Sequence, residues 1–437
     1  MALLTRIEYR ELAEGSLERP LVARAEEIDA AVRAIRDDVR ARGDSALFDL
    51  TERFDGVRLA ELRVGDDEWA SACSALHPDD RDALAHAVRN IETFHRAQHT
   101  ADVEVETEPG VTCRRVSRPF DRVGMYVPGG SAPLVSTLLM LAVPARVAGC
   151  RERIVCTPPS PNGRVDRYVL AAARLCDVSA VYKVGGAQAV AAMASGTETI
   201  PRVDKIFGPG NAYVAAAKQI VASEPGGPAI DLPAGPSEVL VIADDSADAS
   251  FVAADLLSQA EHDAMSQVVL VATSPRLLEH VERELESQLS ALPRRDIARA
   301  SLESARAVLV RDVEQAVEVS NRYAPEHLIL NCSDADALVD AVLHAGSVFV
   351  GSWSAEALGD YASGANHVLP TGGSARSYAG LTLQSFAKTM TVQRVTEVGL
   401  AGLAPTVARL SRLEGLEAHA RAVERRRAAL AASTVSE

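Results

Sequence analysis

The sequence lacks the features that mark secreted and membrane-spanning proteins. Its 437 residues contain only six cysteines, with no CxxC pair and no zinc-finger spacing. Isolated cysteines of this kind are typical of reduced thiols. The longest apolar run, residues 134–143, ends at Pro144 and is too short to cross a bilayer. Because Arg6, Glu8 and Arg10 interrupt the N-terminal stretch, no secretory signal is expected, and we predict a cytoplasmic protein without a membrane partner.

Positive charge is also scarce. The 45 Lys and Arg residues against 60 Asp and Glu residues give a net charge of −15. Binding to nucleic acid needs a concentrated positive field, and no run of basic residues is long enough to provide one. We therefore predict no nucleic-acid partner. An apolar fraction of 47% with 24% charged residues is typical of an ordinary globular protein, and the length favours two or three domains.

Short apolar runs alternate with glycine-containing loops and alanine-rich helices from about residue 123 onward. Before this point, apolar spacing predicts helices over 25–42 and 79–98, and residues 103–116 have the pattern of a hairpin. Strands that alternate with helices indicate right-handed crossovers and parallel sheets. From about residue 403 the chain is again predicted to be helical, with a break at Glu414.

The predicted fold class is α/β, with two Rossmann-like doubly wound parallel-sheet domains, a helical N-terminal segment and a helical C-terminal tail. Glycine- and proline-rich stretches suggest where the chain passes from one part to the next. The expected division is an N-terminal arm (1–24), a first α/β domain (25–122 and 237–381), a second α/β domain (123–236) and a helical tail (382–437).

Three glycine loops end strands and open helices in the second α/β domain, at residues 128–130, 185–186 and 208–210. Such loops suit a phosphate, because backbone N–H groups and the helix dipole point at the ligand. None of them matches GxGxxG. The alternative is that they are tight turns that need glycine for conformational reasons.

Candidate chemical groups lie in the other α/β domain. Gln259 and His262 share one face of a predicted helix, where the imidazole is a common zinc ligand and the amide an unusual one. Asp360 is predicted to lie in a loop with His367 nearby, where it either completes a site or caps a turn. The role of His367 stays open at this point.

Glu326 and His327 stand at the mouth of a predicted strand, directly after Pro325. A histidine that titrates near neutral pH beside a glutamate that orients water is the pairing that general acid–base catalysis needs. The alternative is a salt-bridged surface pair.

Eight stretches that contain these residues resemble, in order and spacing, the histidinol dehydrogenase family. The resemblance covers nearly the whole chain. The stretches are VGMYVPGGSAP, VGGAQAVAA, VDKIFGPGNAYV, IDLPAGPSEVLVIADD, DLLSQAEHD, NRYAPEHLI, GDYASGANHVLPTGG and EGLEAHARAV.

The resemblance implies an oxidoreductase that performs the last step of histidine biosynthesis. Its reaction would be the four-electron oxidation of L-histidinol to L-histidine by NAD, through L-histidinaldehyde that stays bound. It also implies one Zn²⁺ per subunit and a homodimer whose tails are exchanged between subunits. The first α/β domain would carry the zinc and catalytic residues, and the second would face NAD.

The resemblance also assigns roles to individual residues. It implies that zinc is held by Gln259, His262, Asp360 and His419. The substrate would contact those four ligands and, in addition, Ser237, His327 and Glu414. NAD would contact Tyr126, Gln188 and Asn211. The catalytic residues would be His327, which accepts the hydroxyl proton, and Glu326, which acts as base for the water of the second oxidation.

Two other functions are compatible with the same motifs. A sister dehydrogenase would keep zinc and NAD but oxidise another small alcohol. Glu414 favours histidinol, because a substrate with a different head group would need a residue of different charge at this position. A non-catalytic metabolite-binding protein would have no need of a base such as His327 beside its ligand.

Overall fold

The computed structural model describes residues 3–13, 15–19, 25–129, 134–232 and 235–433. The chain divides into two compact units: Met1–Gln98 with Phe120–Phe386, and His99–Pro119 with Ala387–Glu437. In the part of the chain that is described, no helix combines the length and the apolarity that crossing a membrane requires.

Sixteen α-helices and fourteen strands lie within the described residues. The helices are α1 Ala25–Arg42, α2 Asp44–Asp55, α3 Asp66–Ser74, α4 Pro78–Ala97, α5 Val135–Ala148, α6 Arg167–Leu175, α7 Gly186–Ser195, α8 Ala212–Ala222, α9 Ala249–Ala260, α10 Pro275–Ala291, α11 Arg295–Leu302, α12 Val313–Tyr323, α13 Ala335–Leu338, α14 Glu356–Tyr361, α15 Glu397–Leu413 and α16 Glu417–Ser433. The strands are β1 Thr5–Glu8, β2 Val103–Glu108, β3 Val111–Pro119, β4 Arg122–Tyr126, β5 Glu152–Thr157, β6 Ala180–Lys183, β7 Lys205–Phe207, β8 Ala229–Ile230, β9 Glu238–Ala243, β10 Gln267–Ala272, β11 Arg306–Leu309, β12 His327–Asn331, β13 Ser347–Val350 and β14 Ala387–Val395.

The first unit contains a parallel five-stranded sheet in the order β6-β5-β4-β7-β8. Its side chains alternate between two apolar layers: Met125 packs towards α5 and α6, and Tyr126 towards α7 and α8. The strand order reverses between β4 and β7, and ligands of doubly wound sheets bind at the carboxyl ends of such a pair.

The same unit contains a parallel six-stranded sheet in the order β1-β11-β10-β9-β12-β13. Its central strand β9 is buried at every position, with Val239 and Val241 facing α9 and α10 while Leu240 and Ile242 face α12. Continuous apolar runs of this kind are expected for parallel strands covered on both faces. The two parallel sheets confirm the predicted α/β class.

The second unit contains an antiparallel sheet in the order β14-β3-β2, followed by the packed helices α15 and α16. The hairpin predicted over 103–116 is confirmed by β2 and β3. The break predicted in the tail is confirmed too, since α15 ends at Leu413 and Gly415 has a φ of 73°.

The structure groups the N-terminal residues differently from the expected division. Helix α1 packs on α7 and α8, and α4 packs on α5, so residues 25–98 cover the five-stranded sheet rather than the sheet that contains residues 238–243. The amphipathic pattern shows that these helices bury a face, but it does not identify the surface they cover. Residues 5–8 of the expected arm pair with Arg306–Leu309 as an edge strand.

Candidate active site

Buried polar residues of the first unit line a cavity of about 150 Å³ beside the amino ends of β9 and β12. Its wall contains every predicted zinc, substrate and catalytic residue of this unit: Ser237, Gln259, His262, Glu326, His327 and Asp360. Gln259 is in the last turn of α9, and His262 follows that helix. Because helices and strands of an α/β layer run in opposite directions, the end of α9 and the start of β12 meet at one edge.

Asp360 is surrounded by three imidazoles. Its carboxylate oxygens lie 3.8 Å from His262 Nε2, 3.7 Å from His327 Nε2 and 3.8 Å from His367 Nδ1. These distances are too long for hydrogen bonds. Two ligands that are each about 2.1 Å from a tetrahedral zinc ion stand roughly 3.4 Å apart, so the spacing suits groups that share one ion.

One predicted local structure is wrong at this point. Asp360 lies in the helix α14, not in a loop, and Glu356 stands one turn before it on the same face. The glycines and serines around this segment favour a loop, but residues 356–361 form a short helix in which Glu356 and Gly359 are buried. An oxygen of Glu356 belongs with His262 and Asp360 to a group whose ligand atoms lie within 4.8 Å of one another.

The amide of Gln259 is oriented by its surroundings. With the nitrogen turned inward, it lies 2.9 Å from Glu356 Oε1, 3.2 Å from His327 Nδ1 and 3.3 Å from the carbonyl oxygen of Glu238, and its two N–H groups donate to the carboxylate and the carbonyl. We assign this orientation because the opposite one places oxygen against acceptors. The amide oxygen then points away from Glu356.

His327 has one ring nitrogen hydrogen-bonded and the other free. Its Nδ1 lies 3.2 Å from the carbonyl oxygen of Glu238 and 3.7 Å from an oxygen of both Glu326 and Glu356. These acceptors favour the proton on Nδ1. Nε2 is buried and has no hydrogen-bond partner among the described residues. Burial lowers the pKa of His327 to about 3, so the ring is neutral with a lone pair on Nε2.

Three buried carboxyl groups surround the same space. Burial raises the pKa of Asp360 to about 6, and it raises the pKa values of Glu326 and Glu356 well above the ordinary range. The neighbouring carboxylates also raise the pKa values of the two glutamates. A bound cation would relieve both the loss of hydration and this repulsion. The nitrogen and oxygen donors, with the buried unpaired atoms His367 Nε2 and Glu356 Oε2, fit a zinc ion.

A second cavity, of about 800 Å³, contains the three residues expected to contact NAD: Tyr126, Gln188 and Asn211. Tyr126 accepts a hydrogen bond from the amide of Gly186 at 3.1 Å, at the first residue of α7. Asn211 also caps α8, where its Oδ1 accepts from the amides of Tyr213 and Val214. The volume is in the range of pockets for small molecules and cofactors.

A third cavity, of about 350 Å³, borders on both of the others. It shares Gly129 with the large cavity, and Leu134 and His262 with the cavity around Asp360. The two predicted NAD and zinc sites therefore lie on neighbouring surfaces of one unit.

Two predicted site residues belong to the second unit. Glu414 lies at the end of α15, and His419 lies in the first turn of α16. They are five positions apart around the break at Gly415.

Glu356, Glu238 and Arg19 are site residues that the sequence reasoning missed. The spacing of Glu356 and Asp360, four residues apart, could have indicated Glu356 if the segment had been predicted as a helix. No local pattern indicates Glu238, whose backbone carbonyl and amide contact His327 and Glu326, or Arg19, which binds the carboxylate of Glu238.

The chain is similar over nearly its whole length to known proteins. Residues 19–427 match the family model described as histidinol dehydrogenase. The chain is 51% identical over 420 residues to histidinol dehydrogenase of Yersinia pestis, covering 96% of this chain and 94% of that protein. It is 54% identical to the protein of the same name from Xanthomonas oryzae pv. oryzae, over 93% of this chain and 94% of the relative.

A solved structure is similar over the same extent. The crystal structure of histidinol dehydrogenase from Elizabethkingia anophelis matches with a TM-score of 0.94 and 44% identity, covering 98% of this chain and 99% of that chain. The family match and these relatives extend over both units. The chain therefore belongs to the histidinol dehydrogenase family and is an oxidoreductase.

Proposed function

We propose that this chain oxidises L-histidinol to L-histidine in two NAD-dependent steps, with zinc in the cavity around Asp360. The observation that carries the proposal is the free Nε2 of a neutral, buried His327 that faces this cavity. A base must lie beside the reacting carbon, and Nε2 meets this requirement.

The zinc ligands of the first unit would be Gln259, His262 and Asp360. The fourth ligand, His419, would come from a second copy of the chain. When bound, the ion offers open coordination positions to the imidazole and amino nitrogens of histidinol and so fixes the substrate in place. Glu356 would hold the amide of Gln259 in the ligating orientation.

In the first oxidation, Nε2 of His327 accepts the proton of the substrate hydroxyl while hydride leaves the carbinol carbon for nicotinamide. The hydrogen bond from Nδ1 to the carbonyl of Glu238 holds the ring in the tautomer that this step needs. The imidazolium that forms lies 3.7 Å from Asp360 Oδ1, which stabilises its charge.

In the second oxidation, Glu326 accepts a proton from water as the water adds to the bound aldehyde, and the imidazolium of His327 gives its proton to the carbonyl oxygen, which forms the gem-diol and restores neutral His327. The gem-diol then releases hydride to a second NAD⁺ and a proton to give the carboxylic acid. Glu326 is fixed by the amide of Glu238, which donates to its Oε2 at 2.9 Å. Burial raises the pKa of Glu326, which makes its carboxylate a stronger base than an exposed one.

NAD would bind in the large cavity, against Tyr126, Gln188 and Asn211 at the switch point of the five-stranded sheet. The neighbouring cavity at Gly129 and His262 supports this placement, because it offers a route from the dinucleotide towards the substrate. The glycines at 185–186 and 208–210 would then serve two purposes: they would allow the backbone to approach a ligand, and they would form tight turns.

The assembly we propose is a homodimer whose exchanged tails supply Glu414 and His419. Glu414 would bind a cationic group of the substrate. Ser237, which lies in the cavity wall, would contact the substrate as well. Large apolar side chains stand exposed in this part of the unit: Tyr361, next to Asp360 in sequence, is 60% accessible, and Trp353 is 83% accessible. Exposed apolar groups of this size favour a protein interface. We retain the cytoplasm as the location, in keeping with six free cysteines.

The test is the amount of NADH formed per L-histidinol supplied, before and after chelation. Two NADH per substrate, lost on chelation and restored by zinc, supports the proposal. One NADH would indicate an alcohol dehydrogenase that lacks the second step. No NADH with the zinc-loaded chain would contradict the proposed activity.

A further inference from the structure

Arg19 binds the side chain of Glu238 beneath the proposed catalytic pair. Its guanidinium donates from Nε to Glu238 Oε2 and from a terminal nitrogen to Oε1 at 3.0 Å. The hydroxyl of Tyr323 is 2.9 Å from the same carboxylate. Glu238 is only 1% exposed, so its charge depends on these partners rather than on water.

The backbone of Glu238 contacts both catalytic side chains. Its amide donates to Glu326 Oε2 at 2.9 Å, and its carbonyl lies 3.2 Å from His327 Nδ1. Glu238 is the first residue of β9, and the carbonyl of the preceding residue, Ser237, accepts a backbone hydrogen bond from Gln267 at 3.0 Å. A shift of the backbone on both sides of the Glu238 Cα would therefore move Glu326 and His327 together.

Arg19 also contacts the segment that leads into the catalytic pair. It donates to the carbonyl of Tyr323 at 2.8 Å, and its guanidinium lies 3.9 Å from the centre of that ring. The next residue, Ala324, has a φ of 54°, which a residue with a side chain adopts only when its surroundings enforce it. Pro325 follows directly, so the backbone between Tyr323 and Glu326 has little freedom.

We propose that Arg19 is a positioning residue for Glu326 and His327. It acts through the backbone of Glu238 on one side and through the carbonyl of Tyr323 on the other. Without the guanidinium, the buried carboxylate of Glu238 would have no positive partner and would keep only the hydroxyl of Tyr323, and its movement towards water would displace the backbone of Glu238. The inference rests on the proposed roles of Glu326 and His327.

The experiment compares the full zinc-loaded chain with the variants Arg19→Gln and Arg19→Lys. We expect Arg19→Gln to lower kcat by about a hundredfold, since a misplacement of about 1 Å has an effect of that size. KM for L-histidinol should change by less than about threefold, because the residues proposed to hold the zinc, and through it the substrate, do not contact Arg19. Arg19→Lys keeps the positive charge but loses the paired N–H groups of the planar guanidinium, so its kcat should lie between those of Arg19→Gln and the unchanged chain.

Arg6→Gln is the matched control. Arg6 belongs to the same N-terminal segment and pairs with Glu282 at 2.7 Å, at the surface and without contact to the catalytic pair. If Arg19 only anchored the N-terminal segment, both variants would lose stability while the folded fraction kept a normal kcat. The folded fraction is measured by circular dichroism and used to correct kcat.

The double variant Arg19→Gln/Glu238→Gln separates positioning from folding. It removes both charges while keeping groups that can hydrogen-bond, so it should recover a large part of the lost kcat. An unchanged kcat in Arg19→Gln, or a loss that follows the unfolded fraction alone, overturns the inference. Full activity in both Glu326→Gln and His327→Ala overturns the proposed roles and the inference with them. Loss in those two variants with normal activity in Arg19→Gln overturns the inference only.

Discussion

Glu356 should determine how tightly the chain holds zinc without being a ligand itself. It is 1% exposed, and its Oε1 accepts the hydrogen bond that turns the amide oxygen of Gln259 outward. Glu356→Ala leaves the amide nitrogen without this partner, and the ligating orientation is no longer favoured. Loss of such a partner typically weakens metal affinity 10- to 100-fold. This corresponds to about 1.4–2.8 kcal/mol of binding free energy.

The measurement is a competition titration of the zinc-free chain against a chromophoric chelator at fixed pH. Glu356→Gln keeps an acceptor oxygen for the amide of Gln259 and should retain most of the affinity. Glu279→Gln, an exposed position on α10, is the control for a simple loss of negative charge. If Glu356→Gln binds zinc as weakly as Glu356→Ala, Glu356 acts as a ligand or through its charge, and the reasoning from orientation is refuted.

Three further predictions address the catalytic steps, the assembly and the fold. Glu326→Gln should spare the oxidation of alcohol to aldehyde and block that of the aldehyde, and equal loss in separate assays of the two steps would contradict this division. Truncation after Pro405 should abolish activity, and mixing with His327→Ala chains should restore some; no recovery despite proven heterodimers would count against a shared site. Phe207→Ala removes a fully buried ring stacked 4.2 Å from Phe386, and urea unfolding should show a loss of about 3–5 kcal/mol, whereas a loss below about 1 kcal/mol would contradict the packing argument.

Much of the fold was predictable because its elements have strong local patterns. The apolar run that ends at Gly43 predicts a helix over 25–42, and α1 has these bounds. The apolar runs at 239–243 and 327–331 predict strands, and the structure has β9 and β12 there with shifts of at most one residue. Parallel strands buried on both faces have continuous apolar runs, and a glycine or proline limits each run.

The site was predictable where a resemblance or a motif marked its residues, and not where packing alone created it. Glu326 and His327 are adjacent in sequence, and their pairing suggests acid–base chemistry. Glu238 has no recognisable sequence pattern, because its contacts with Glu326 and His327 are made by backbone groups, which every residue has. Arg19 is more than two hundred residues away from Glu238 along the chain, and only the approach of the N-terminal segment to β9 joins them.

The sequence by itself determined the α/β class, the positions of most helices and strands, and the chemical groups available to the site. These properties depend on the periodicity of apolar residues and on side-chain type, which are local. Only the tertiary structure decided that Asp360 meets three imidazoles, that His327 has a free Nε2, and that the N-terminal helices cover the five-stranded sheet. Those outcomes depend on which surfaces exclude water together, and this is a property of the whole chain.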